Sequence, residues 1–187
     1  MMEDRSRTCG GMQGVGTLFG IGDVIVYGGE GVCRVESIGV PPLTGVNKQR
    51  QYYSLKPLYR EGKIYAPVDT EMFMRPVISR EDADALILRI PEIEPEIYEN
   101  SNLRFLNEYY QKKLQNYSCE GLIKLIRSTR AKRELMISRG KKLGLVDERY
   151  MKRAEDMLHG EFAVALEIER SAVPHYIRTA LGALQPA

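Results

Sequence analysis

The sequence predicts an α+β protein, a small antiparallel β-barrel followed by an all-α helical bundle. Three observations carry this expectation. Between Val24 and Val77, five short runs rich in β-branched and aromatic residues are separated by turn signals, with no helical pattern among them. From Ser79 onward the apolar residues recur at helical spacing instead. At 187 residues, 43% hydrophobic and 28% charged, the chain has the size of one ordinary domain or two small ones and the composition of a packed globular fold.

The elements follow in order. Residues 1–17 hold Gly10, Gly11, Gly14 and Gly16 without hydrophobic periodicity and read as a disordered, glycine-rich tail. The barrel is expected over 18–78. Its first strand, Val24-Ile25-Val26-Tyr27, ends in the tight turn Gly28-Gly29-Glu30-Gly31. In the second, Val32 to Ile38, Cys33 and Val35 take one face while Arg34 and Glu36 take the other. Pro41-Pro42 and Gly45 form a loop before Gln51 to Leu58, where Tyr53 and Leu55 alternate with Tyr52, Ser54 and Lys56 and Pro57 marks an edge or a strand end. Glu61-Gly62 turns into Lys63 to Val68, and Met74 to Val77 supplies the last strand.

Residues 79–100 read as one short helix and an acidic linker. Ser79 with Asp82 three residues on is a capping-box-like start, Ala83, Leu86, Ile87 and Ile90 form the apolar stripe, and Pro91 stops it. The helical domain is expected over 101–173. Asn100 or Ser101 caps a helix carrying Leu103, Leu106, Tyr110 and Leu114; Ser118 caps a longer one carrying Leu122, Ile123, Leu125 and Ile126, with Gly140 as its stop. Asp147 begins a last helix with Met151, Ala154, Leu158, Phe162, Leu166 and Ile168 along one face, and Pro174 breaks it, leaving 174–187 as a C-terminal tail.

Charge is sorted along the chain. From Ser101 onward there are 16 Lys+Arg and 10 Asp+Glu, a net of +6, whereas residues 79–100 hold 2 against 7, a net of −5. A polyanion should therefore meet the C-terminal half. Within it, Arg127, Arg130, Lys132, Arg133, Arg139, Lys141 and Lys142 fall in 16 residues with Glu134 as their one acid. Such one-sided enrichment suits backbone phosphates, because each phosphate neutralised releases counterions.

Other chemistries find little support. His159 and His175 lie far in sequence from Cys33 and Cys119, and no H-x-x-x-H or C-x-x-C pair offers metal spacing. Gly14-Val15-Gly16 precedes a strand instead of following one, and Gly140-Lys141-Lys142 lacks the parts of a phosphate loop. The reading is therefore of no enzyme, no cofactor, no metal and no small-molecule substrate. No apolar run approaches the length of a membrane span and the amino terminus has no secretory pattern, so no membrane contact is expected. The three widely spaced cysteines, Cys9 among them, suit a reducing, cytoplasmic compartment.

Phe19-Gly20-Ile21-Gly22-Asp23-Val24-Ile25-Val26-Tyr27-Gly28-Gly29-Glu30-Gly31-Val32, then Tyr53-Ser54-Leu55-Lys56 and Ile64-Tyr65-Ala66-Pro67-Val68-Asp69, resemble the amino-terminal module of the CarD family of bacterial transcription regulators, CarD/CdnL-like proteins. The stretch from Asp147 to Ala163 resembles the last helix of that family's second domain. The resemblance implies a Tudor-like barrel that docks on the β subunit of RNA polymerase. It also implies a helical domain that grips promoter DNA, mostly through backbone and minor groove, and alters open-complex stability. No motor motif is present, which suits a free-standing regulator better than a transcription-repair coupling factor.

The resemblance directs docking to the barrel's exposed edge strand, with Lys63, Ile64 and Tyr65 and the nearby Tyr53 as anchors. Ile64 reads equally well as core. DNA contacts are expected from Leu103, Arg104, Arg127, Arg130, Lys132, Arg133, Lys141 and Lys142. Family members carry a tryptophan wedge at the start of the first main helix of the second domain; this chain has no tryptophan, and Asn102-Leu103 stands where Asn-Trp is expected. Leu103 reads either as a substitute wedge or as a core residue in register with Leu106 and Tyr110. Two rival functions remain at this level: a protein-only adaptor, and a hydrolase using Cys33 or Cys119.

Overall fold

The computed structural model describes residues 19–183, and the glycine-rich stretch 1–17 lies outside the described residues. Five strands come first: β1 (Val24–Tyr27), β2 (Gly31–Gly39), β3 (Tyr52–Pro57), β4 (Ile64–Pro67) and β5 (Met74–Pro76). They form one antiparallel sheet in the order β4-β3-β2-β1-β5. The β1–β2 turn needs its glycines, since Gly28 and Gly31 take φ of 43° and 79°, a region that side chains resist.

The expected barrel is not closed. β4 and β5 occupy opposite edges and do not pair, because β5 is three residues long and leaves the sheet for the helices as soon as it has paired with β1. A bulge at Glu36 shifts the β2–β3 register, from Val35 opposite Leu55 to Ser37 opposite Ser54, and bends the sheet over its own core. That core is Phe19, Ile25, Tyr27, Cys33, Val35, Tyr53, Leu55 and Ala66.

Five helices follow: α1 (Arg80–Leu88), α2 (Leu103–Leu114), α3 (Cys119–Ser138), α4 (Leu145–Ala165) and α5 (Val173–Gly182). Their starts are set by side-chain caps. Ser79 Oγ accepts from Asp82 N–H and Ser118 Oγ from Gly121 N–H, as the sequence suggests, while Asn102, one residue past the expected cap, accepts from Arg104 N–H. Gly140, at φ 69°, ends α3: its N–H donates to Ile137 O at 2.9 Å and Lys141 N–H to Met136 O at 2.8 Å, closing the last carbonyls.

Pro174 begins a helix instead of ending one. It sits in the first turn of α5, where a missing N–H costs nothing; residues 174–182 of the expected C-terminal tail continue this helix, which packs on α1 with Val173 fully buried and Tyr176 Oη donating to Asp84 at 2.8 Å, and 184–187 lie outside the described residues. No described helix is long and apolar enough to cross a membrane.

α4 joins the two halves and contacts β2. Its Glu161, 2% exposed, forms a two-pronged ion pair with Arg75 of β5, the second prong at 2.7 Å. The same carboxylate accepts Ile78 N–H at 3.0 Å, and the guanidinium donates to Tyr117 O at 2.7 Å. One residue earlier, Tyr59 Oη donates to Gly160 O at 3.1 Å; a Cβ at Gly160 would lie 3.1 Å from that ring.

Removing one partner of such a buried pair leaves the other charge unsatisfied. Arg75→Ala should therefore cost about 3–5 kcal/mol in urea unfolding, and Arg75→Leu combined with Glu161→Leu should recover most of that loss. Equal losses in the single and double variants would show that the pair is not the source.

Candidate docking edge and nucleic-acid interface

β4 is the free edge of the sheet. Val68 N–H donates to Gln51 O at 3.0 Å, so the pairs at 66/53 and 64/55 turn their backbone groups toward β3, and the alternation leaves those of Tyr65 and the carbonyl of Pro67 facing outward. The outward row thus offers a donor and two acceptors to an incoming strand. Lys63 precedes it and pairs with Glu36 at 2.7 Å. Tyr65 is half-buried, and Ile64 packs partly buried against the sheet core, so the core reading of Ile64 holds in part.

Tyr53 is not an anchor. It is 1% exposed, and its hydroxyl accepts Phe19 N–H at 3.1 Å inside the sheet core. Its alternation with Leu55 already pointed inward.

The expected basic residues divide into three sets. Lys132 is 6% exposed and its ammonium donates to Asp147 Oδ1 at 2.8 Å, joined there by Tyr110 Oη at 2.6 Å, so it ties α3 to α4 and is withdrawn from the outer surface where DNA was expected. Arg127 turns inward too: it donates to Ile90 O at 2.7 Å and its Nε is buried without a partner, which holds the end of the first helical segment against α3. Arg130, Arg133, Lys141 and Lys142 remain toward solvent, with Arg130 paired to Glu155 at 2.8 Å. Arg104 is exposed and pairs with Glu108 at 2.9 Å along its own helix.

The structure adds three cations that the sequence reading passed over. Arg149, Lys152 and Arg153 line the outer face of α4. Lys152 borders two surface hollows, one shared with Arg130 and Arg133 but also with Glu134, Glu148 and Glu155, and the other running to the Gly29–Val32 turn, Arg60, Glu30 and Asp156, so the cations of α3 and α4 are interspersed with carboxylates. Arg153 reaches Gly29 O at 3.5 Å, and Arg149 bonds the side chain of Asn107, whose amide donates to Leu103 O at 2.6 Å. The signal was available: residues 147, 150, 151, 154 and 158 form the buried stripe, and 149, 152 and 153 fall between them on the opposite side.

Leu103 is the first residue of α2 and is 62% exposed, which overturns its reading as core. The helix starts ahead of the turn that meets α4, so only Leu106, Tyr110 and Leu114 reach the interior. Phe105 is exposed as well.

Neither described cysteine is an activated nucleophile. Burial pushes the Cys33 thiol up to about 11, and burial followed by the Glu161 charge raises Cys119 further. Among the described residues no group of three His, Cys, Asp or Glu side chains gathers at metal distance.

Residues 19–78, the whole of the sheet and its turns, match the family described as the CarD-like/TRCF RID domain. The match covers about a third of the chain and ends where α1 begins. A comparison with curated proteins finds no match.

The division among the cations is measurable. Lys132→Ala should destabilise the protein by about 3–5 kcal/mol by leaving Asp147 buried and unpaired, whereas Arg133→Ala should change stability by no more than about 0.5 kcal/mol. Chemical denaturation of the two variants against the parent checks this, and similar losses in both would contradict it.

Proposed function

We propose, from the match of residues 19–78 to the CarD-like/TRCF RID domain, that the chain is a non-enzymatic transcription regulator that docks on the RNA polymerase β subunit and contacts promoter DNA. The family is one of transcription-related, polymerase-interacting domains. In this reading the Tudor-like sheet supplies the polymerase contact through its free β4 edge, by strand addition alongside Tyr65.

The carrying observation for DNA is the set of exposed cations at the end of α3 and along α4, Lys141, Lys142, Arg149, Lys152 and Arg153 with Arg130 and Arg133, interspersed with Glu134, Glu148 and Glu155 and joined to that sheet by the Arg75–Glu161 pair. Phosphates would meet Arg130, Arg133, Lys141, Lys142, Arg149, Lys152 and Arg153. Leu103, exposed at the start of α2, takes the part of the apolar wedge against a base step, with Arg104 beside it. A leucine lacks the flat face and ring N–H of an indole, so its grip on the bubble edge is weaker than a tryptophan's. The raised thiols of Cys33 and Cys119 support a binding role over a hydrolytic one. A protein-only adaptor differs in having no use for these cations.

A pull-down with purified polymerase and a gel shift at low salt test the two arms separately. The full chain should retain the β subunit, and Tyr65→Ala should weaken that retention while the protein stays folded. DNA affinity should fall steeply with salt, and each lost phosphate contact, as in Arg133→Ala, should lower the log–log slope by about 0.9. Polymerase binding with no DNA shift would favour the adaptor.

Leu103→Ala should leave stability within about 0.5 kcal/mol, as for an exposed position, yet shorten open-complex lifetime, and Leu103→Trp should lengthen it. Unchanged lifetimes in both would remove the wedge.

A further inference from the structure

Between α2, α3 and the strap around Glu96 and Tyr98 lies a cavity of about 570 Å³. Its size falls within the range of small-ligand sites. The rings of Tyr98, Tyr109 and Tyr110 and the Leu125 side chain give it apolar walls, Tyr98 being stacked on Tyr109 at 4.1 Å. Lys132 lines the cavity. Its ammonium has three donors and is nine-tenths buried, yet among the described residues it has one hydrogen-bond partner, Asp147.

At the mouth, Glu96 Oε2 lies 2.9 Å from Lys113 Nζ and 3.5 Å from Lys124 Nζ, so a carboxylate of the strap occupies a two-lysine anion position. Lys113 and Lys124 lower the proton affinity of Glu96, which keeps it charged there.

We propose that this cavity binds a free nucleotide, with the base against the tyrosine walls, an acceptor atom of the base on Lys132, and the phosphate replacing Glu96 between Lys113 and Lys124. Each feature selects one part of the ligand. Tyrosine walls favour a flat ring, a buried ammonium with unused donors calls for a carbonyl or ring-nitrogen acceptor, and the paired lysines favour an anion. Glu96 acts as a built-in competitor, so the strap is held closed until an anion displaces it. The proposal is independent of the polymerase and promoter contacts, which use other surfaces.

Calorimetric titration of the full chain with each of the four ribonucleoside 5′-monophosphates, and with inorganic phosphate, tests this. At least one nucleotide should bind about tenfold more tightly than phosphate, the difference being the contribution of the base. Tyr98→Ala should reduce that preference and leave phosphate binding unchanged. Lys124→Ala should weaken both. Glu96→Gln should tighten nucleotide binding by about threefold or more, a gain that a purely structural strap would not produce.

Lys132→Met should remove discrimination among the bases. Tyr98→Ala, on the exposed strap, keeps the test valid where Lys132→Met does not fold. Equal affinity for phosphate and every nucleotide, or weaker binding by Glu96→Gln, overturns the proposal. So does a single-stranded oligonucleotide that binds through Tyr98 more tightly than any free nucleotide, since the occupant is then a strand.

Discussion

The arrangement of this protein depends on one buried ion pair. Arg75 stands on the last, three-residue strand and Glu161 near the end of the longest helix, and neither charge is stable there alone. Once paired, they draw in Ile78 N–H and Tyr117 O, so the backbone leaving the sheet and the turn between α2 and α3 are fixed at the same point. This is why the sheet stays open. β5 is directed to the helices, where its arginine has its partner, and β4 is left as a free edge on the far side. The geometry that prevents closure also provides the surface through which the domain is proposed to dock.

The cations of the helical half follow a related logic. Lys132 and Arg127 lie on sides of α3 that face other elements, and each is directed inward to one acceptor, Asp147 or Ile90 O. Lys113, Lys124 and Arg139 are answered by Glu96 and Glu99 of the acidic strap, with Arg139 held to Glu99 by two hydrogen bonds of 2.9 and 3.0 Å. The charge sorted along the sequence is thus partly cancelled within the fold. What remains toward solvent is a narrower stripe, on the outer sides of α3 and α4. Arg130, although paired with Glu155, stays exposed enough for that pair to contribute little.

Much of the fold was legible from the sequence because strand and helix periods differ and the turns carry glycine and proline. The strands, the caps at Ser79 and Ser118 and the stop at Gly140 all rest on local signals. Errors arose where a local signal is ambiguous without a partner. Pro174 both ends and begins helices, and only the packing of Val173 decides which. Five strands suggest a barrel, but closure depends on edge lengths that periodicity does not give. Among site residues, Lys132 looks like a surface charge in a basic run. Yet Leu122, Leu125, Thr129 and Lys132 fall on one helical stripe, and the position was readable as buried had the stripe been followed past its apolar members. Its partner Asp147 was not, since nothing in the sequence pairs residues 15 apart on two helices.

The long helix α4 connects these observations. On its inner side Asp147 and Glu161, near its two ends, receive a lysine from α3 and an arginine from the sheet. On its outer side Arg149, Lys152 and Arg153 stand among Glu148, Glu155 and Asp156, and Arg153 reaches the β1–β2 turn at Gly29, where a Cβ would collide with its guanidinium. Interfaces between domains of one chain are usually polar enough to permit relative motion, and motion here would separate the free β4 edge from these cations. The buried pairs at Asp147 and Glu161, one near each end of α4, oppose that separation, because breaking either leaves a charge buried alone. Surfaces on the sheet and on the helices are thus positioned relative to one another by α4 and the two buried pairs it carries.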